Sequence, residues 1–149
     1  MSIKIISNNR KAFHEYHVGE KFEAGMVLKG TEVKSLRDGK ANLTDGWVEI
    51  VNGEAFVRDI QISPYSHGNL LNHEQKRVRK LLLKQKELIK IEEALAERGL
   101  AVIPISLYFK ESLAKLEIAI CKGKKLHDKR ESEKSKDAKR EMSRSMRVK

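Results

Sequence analysis

Two stretches of alternating residues in the second half of the chain do most to narrow its folds. Ala114, Leu116, Ile118 and Ile120 are interleaved with Lys115 and Glu117. A period of two puts the apolar set on one face of a strand and the charged set on the other, so a half-buried strand is expected. Upstream, residues 100–109 set Ala101, Ile103, Ile105, Leu107 and Phe109 on one face and Pro104 on the other. Proline has no N–H to give a ladder, which predicts an edge or a bulge there. Residues 47–52 and 54–60 flank Asn52-Gly53, the strongest short hairpin signal. Residues 13–18 and 22–28 read as two further strands, broken near Gly19.

Helical signal is confined to two places. Residues 84–98 carry Leu88, Ile91 and Leu95 on one stripe, followed by Gly99 where a C-cap belongs. No Ser, Thr, Asp or Asn marks its start. A shorter helix is expected over residues 31–36, ending before Asp38-Gly39. Short strands with helices at their corners predict a mainly β fold. The expected architecture is an OB-like, partly open antiparallel β-barrel with two or three flanking helices.

Charge divides the chain near residue 121. The 149 residues carry 31 Lys and Arg against 21 Asp and Glu, a formal net charge of +10. Residues 122–149 hold 12 of those cations and 5 of the anions, hence +7. This segment has no aromatic, and its few apolar residues include Leu126, Met142, Met146 and Val148. It cannot bury enough surface to offset roughly 1–2 kcal/mol per residue of backbone ordering. Residues 1–121 are therefore expected to form the barrel and 122–149 a basic tail, disordered when free. Ala138, Met142 and Met146 recur at helical spacing, which leaves two readings: a solvated low-complexity tail, or one that folds on a polyanion.

The composition excludes several classes. No apolar run approaches the 18 or so residues that a membrane-spanning helix needs, so no span is expected; the positive charge favours a polyanion, nucleic acid or an anionic membrane surface, and of these no membrane partner is expected. MSIKIISNNRK has neither an apolar signal core nor a small-residue cleavage site, so no secretory signal is expected. The lone Cys121 fits a reducing, cytoplasmic setting and reads as a packed thiol. His14 and His17, three apart in a presumed strand, would point to opposite faces, so no metal site is expected. His127-Asp128 resembles part of a triad but lies in the tail, and no P-loop, GxGxxG or GxSxG is present. The reading is no enzyme, no catalytic residue and no cofactor.

Binding features are stronger. Lys34, Arg37 and Lys40 recur about one turn apart on and after the short helix. Arg77, Arg79, Lys80, Lys84 and Lys86 bracket Leu81-Leu82-Leu83. Cations for phosphates beside apolar surface for unstacked bases suit RNA. The alternative, a solvated charged face over a buried Leu81–Leu83, is equally compatible with the composition.

Seven segments then carry a resemblance. NNRKAFHEY (residues 8–16), FEAG (22–25), GTEVKSLRDGKANL (30–43), GEAF (53–56), RVRKLLL (77–83), SLYFK (106–110) and KGKKLHDKR (122–130) resemble, in order, the SsrA-binding protein (small protein B) family. The resemblance implies a bacterial RNA-binding adaptor that carries the tRNA-like domain of transfer-messenger RNA to stalled ribosomes. It also implies alanyl-tRNA synthetase and elongation factor Tu as indirect partners, and a tail that enters the empty mRNA channel and becomes helical at the decoding centre. No covalent chemistry is implied, and the protein is expected to be monomeric. Asn9, Tyr16, Glu23 and Leu82 match family positions that hold RNA. His14, Lys34, Arg37, Lys40, Arg79 and Lys80 are added as phosphate or sugar contacts. Gly123, Lys124, Lys125, His127, Asp128, Lys129 and Arg130 fall in the tail motif linked to the decoding centre, and Met146 resembles the apolar anchor near the tail end. The distal tail departs from the pattern, with no aromatic after Phe109 and four serines, Ser132, Ser135, Ser143 and Ser145, that lower helix propensity. A generic OB-type RNA-binding or ribosomal protein is the rival reading, and a small cytosolic enzyme the third.

Overall fold

The computed structural model describes residues 3–65 and 72–124. Its strands are β1 (Ile3–Asn8), β2 (Tyr16–Met26), β3 (Ala41–Asn42), β4 (Trp47–Val51), β5 (Glu54–Arg58), β6 (Gln61–Ile62), β7 (Arg79–Leu82), β8 (Leu100–Lys110) and β9 (Leu113–Gly123). Three helices interrupt them: α1 (Arg10–Glu15), α2 (Gly30–Arg37) and α3 (Gln85–Ala96). Seven strands form one antiparallel sheet in the order β1-β8-β9-β2-β7-β5-β4, and β3 pairs with β6 apart from it. The sheet curls until β4 lies against β8, yet β1 and β4 have no ladder between them, so the barrel is open.

The inner face of the sheet holds the main core. Phe22, Ala24, Val57, Leu81, Leu107, Leu116 and Ile118 are buried there, with Leu36 of α2 and Ile91 of α3 closing over them. Alternation thus gives the right inner set on β9. The hairpin at Asn52-Gly53 forms as expected, with φ of 52° and 78° suited to a two-residue turn. In α3 the Glu87 carboxylate accepts the Lys84 N–H at 3.0 Å, so an acid in the first turn supplies the start signal that no capping residue gave. The helix ends at Ala96, two residues before the predicted end, and Gly99 takes a φ of +87° in the turn that follows.

Four expectations need correction. Residues 13–18 are not one strand: Phe13, His14 and Glu15 belong to α1, and β2 begins at Tyr16. The premise that His14 and His17 share a strand is therefore wrong. Nor is the chain broken into two strands at Gly19. β2 runs through it, with a bulge between Val18 and Lys21, and a Cβ on Gly19 would lie 2.9 Å from the Ile120 carbonyl oxygen. Third, the five apolar residues of β8 do not share a face. The bulge predicted at Pro104 does form, between Pro104 and Ser106, but one extra residue swaps the faces beyond it. Ile103 and Ile105 consequently pack with Ala12, Ala119 and Cys121 under α1, while Leu107 joins the main core. Finally, β9 continues past the division drawn at residue 121, since Lys122 and Gly123 still pair with His17 and Tyr16.

Candidate nucleic-acid interface

Register fixes what the outer face of the sheet presents. Cross-strand partners share a face, and Tyr16↔Gly123, Lys21↔Ala119, Glu23↔Glu117 and Gly25↔Lys115 lie opposite the buried Phe22 and Ala24. Across β7, Gly25 pairs with Leu82, so Leu82 and Lys80 join the same face. Leu82 is 53% exposed because Gly25 opposite it has no side chain to cover it. On the other flank, Tyr108 pairs with Lys115 and Ser106 with Glu117. Glu23, Lys80 and Leu82, distant in sequence, thus share the outer face with Lys21, Tyr108, Lys110 and Lys115, while Tyr16 lies on the same face at the far end of the β2–β9 ladder, packed against the small cluster under α1.

Two carboxylates, Glu23 and Glu117, face each other within this basic surface. The Tyr108 hydroxyl donates a short hydrogen bond to Glu23, and the Lys110 ammonium lies 3.5 Å away. The tyrosine bond, with Lys110 and Lys115, outweighs desolvation and holds the Glu23 carboxyl below its usual range. Burial and the same carboxylate push the Tyr108 phenol well above its ordinary value. At neutral pH the pair is therefore a carboxylate and a neutral phenol. A carboxylate so held repels phosphate but accepts from base N–H groups or a ribose hydroxyl, and it orients the Lys110 cation.

The remaining candidates fall elsewhere. Asn9 is only 2% exposed. Its side chain accepts the Ala12 N–H at 3.2 Å, capping α1, and donates to the Pro104 and Leu43 carbonyls at 2.9 and 3.3 Å. It shapes the face rather than lining it. Arg79 is a correction: it is fully buried, clasping Glu32 at 2.6 Å while its other donors reach the Ile60 and Gln75 carbonyls. It has no donor to offer RNA. Lys34, Arg37 and Lys40 are exposed but lie on or just after α2, which packs Leu36 into the inner core, so they are not on the outer face. Lys34 stands 5.6 Å over the Tyr65 ring. Lys80 pairs with Glu54 at 3.1 Å, and His14 is half-buried on α1. Gly123 ends β9 and Lys124 follows it, whereas Lys125, His127, Asp128, Lys129, Arg130 and Met146 lie outside the described residues.

Beside Tyr16 is a cleft of about 310 Å³ walled by Trp47, Thr44, Asp45, Ala101 and Ile103. The Trp47 Nε1 donates to Asp59 at 2.8 Å and the Arg58 guanidinium sits 5.7 Å over its ring. Among the described residues no group of three His, Cys, Asp or Glu could hold a metal. Cys121 is buried, which pushes its thiol up to about 11.

Sequence reasoning missed Tyr108, Lys110, Lys115 and Trp47. The signal was available on β8 and β9, where the polar half of the alternation names Tyr108, Lys110 and Lys115. Trp47 required knowing that β4 curls against β8.

Comparison with known proteins decides the family. The family model described as SmpB protein matches residues 6–148. The chain belongs to the SmpB family. It is 55% identical over 149 residues to the SsrA-binding protein of Geobacter sulfurreducens, covering all of this chain and 97% of that one. The SsrA-binding protein of Geotalea uraniireducens is 56% identical over 142 residues, covering 95% of this chain and 94% of its own. A solved structure described as "tmRNA-SmpB: a journey to the center of the bacterial ribosome" matches with a TM-score of 0.70 and 38% identity. It covers 90% of this chain and 94% of its own. The outer sheet face and the cleft beside it are therefore features of an SmpB-family body.

Proposed function

We propose that the chain is an RNA-binding adaptor of trans-translation. It binds the tRNA-like domain of transfer-messenger RNA through its body and carries that RNA to stalled ribosomes for peptide tagging. The observation that carries this reading is that Tyr16, Glu23 and Leu82 lie along one sheet face edged with lysines, in a chain of the SmpB family. Tyr16 and the exposed Leu82 offer surfaces to unstacked bases, Glu23 accepts from base or sugar, and Lys21, Lys80, Lys110 and Lys115 meet phosphates.

In this reading the basic segment from residue 125 onward enters the empty mRNA channel and engages small-subunit RNA near the decoding centre, with His127 to Arg130 closest to it. Elongation factor Tu and alanyl-tRNA synthetase meet the protein only through the RNA. The protein works as a cytoplasmic monomer and makes no covalent bond. No helix among the described residues is long and apolar enough to cross a membrane.

Copurification tests the reading. Tagged protein from cells should bring down one abundant structured RNA of a few hundred nucleotides together with ribosomes. Recovery of ribosomal RNA alone would instead favour a generic ribosomal RNA-binding protein.

A further inference from the structure

The chain leaves the sheet at a built joint. β9 ends at Gly123, opposite Tyr16, and the next residue makes two hydrogen bonds to the far end of α1. The Lys124 amide donates to the Glu15 carbonyl at 3.0 Å, and the Lys124 Nζ donates to the Phe13 carbonyl at 3.2 Å. The last carbonyls of any helix lack partners within it, and a cation placed there also meets the negative end of the helix dipole. With six residues α1 is too short to hold itself together. Its first turn is fixed by Asn9, which is itself bonded to Leu43 and Pro104. Its last turn is fixed by Lys124.

We propose that Lys124 is a positioning residue that clamps the root of the C-terminal segment to α1 and so sets the direction in which residues 125–149 leave the body. This rests on the adaptor reading above. Without the clamp, the last fixed point would be Gly123, and a glycine turns with little restraint. The segment would then leave over a wide range of directions. With the clamp, backbone and side chain of one residue are tied to two carbonyls of a helix packed beside Tyr16. The joint links the RNA-binding face to the segment that must find the mRNA channel. Lys124 is thereby separated from the cations beyond it, which are read as ribosomal RNA contacts.

The test compares Lys124→Met, which keeps the aliphatic stem and loses the donors, with Lys124→Arg, which keeps a cation able to reach Phe13. In the free full-length protein, amide exchange at residues 16 and 124 should quicken about 2–5-fold in K124M, the range expected for a lost helix-terminal cation. K124R should stay near the natural chain. K124M should bind the tRNA-like domain within about 2-fold of the natural chain, tag stalled peptides markedly less, and K124R should restore tagging. Unchanged exchange in K124M would overturn the clamp, and if tagging were lost as well it would make Lys124 an RNA contact instead. Faster exchange with full tagging would overturn its positioning role. A natural chain that binds no tRNA-like RNA would overturn the adaptor reading, and the exchange result would still decide whether the clamp exists.

Discussion

Glu32 shows how a single carboxylate can be both hidden and indispensable. It is fully buried on α2, yet every oxygen is used. The Lys29 N–H and the Arg77 guanidinium reach Oε1 at 2.8 and 2.5 Å, and Arg79 reaches Oε2 at 2.6 Å. Removing one member of a buried ion pair strands the other, at about 3–5 kcal/mol. Glu32→Ala is therefore expected to lower unfolding free energy by about that amount. Burial alone would raise the Glu32 carboxyl; the hydrogen bonds from Arg77 and Lys29 and the charge of Arg79 outweigh it and hold it below its ordinary value. A depressed folded value means that the stabilisation is complete above the unfolded value of about 4.3 and is lost as pH falls below it. Urea midpoints between pH 3 and 7 should fall more steeply on the acid side for the natural chain than for Glu32→Gln. Equal slopes would contradict the assignment. This pair also explains why Arg79 reads from the sequence as an RNA contact. Its partner is 47 residues upstream, and nothing in RVRK tells a buried guanidinium from an exposed one. The burial of Asn9 is hidden in the sequence for the same reason, its partners being carbonyls at residues 43 and 104.

At the scale of elements, the two hairpins differ in legibility. Asn52-Gly53 announces its turn. The β8–β9 turn makes the same geometry with Glu111 and Ser112 at φ of 52° and 70°, residues that carry no turn signal and are strained there at about 1–2 kcal/mol each. Replacing Glu111→Asn and Ser112→Gly together should raise unfolding free energy by about 1–2 kcal/mol in denaturant titration. A loss of stability would mean that the turn is held by contacts of the present side chains. The alternation on β9 gave its buried face correctly because the extra residues of both bulges lie on its partners, β2 and β8, and none on β9 itself. On β8 it located the bulge and missed its effect, since a pattern count does not show which residue is the extra one. α1 escaped notice because six residues are too few for a helical period to show, although Asn9, three residues before Ala12, stood where an N-cap belongs.

The whole molecule separates recognition from charge. Most of the excess positive charge, +7 of +10, belongs to residues 122–149, whereas the residues that meet on the outer face come from β2, β7, β8 and β9 of the body. The charge division was legible as composition. That Tyr16, Glu23 and Leu82 lie along one face was not legible in the residue pattern, because it depends on strand order and register; only the family resemblance grouped them. A charge-only binder would lose most of its affinity with the basic tail and would not care about two surface side chains in the sheet. A face-specific binder should do the reverse. Affinity for the tRNA-like domain of transfer-messenger RNA, set against a single strand of equal length, is the direct measure. Three proteins are compared: the full chain, the chain ended after Lys124 and shown by melting to be folded, and the full chain with Tyr16→Ala and Leu82→Ala. The tRNA-like domain should be preferred by the first two proteins, with a modest, salt-dependent loss on truncation. The double variant should lose about 1–3 kcal/mol per side chain while keeping its weaker hold on the single strand. Full affinity in the double variant, or loss of the preference along with the tail, would contradict the assignment of RNA recognition to the sheet face.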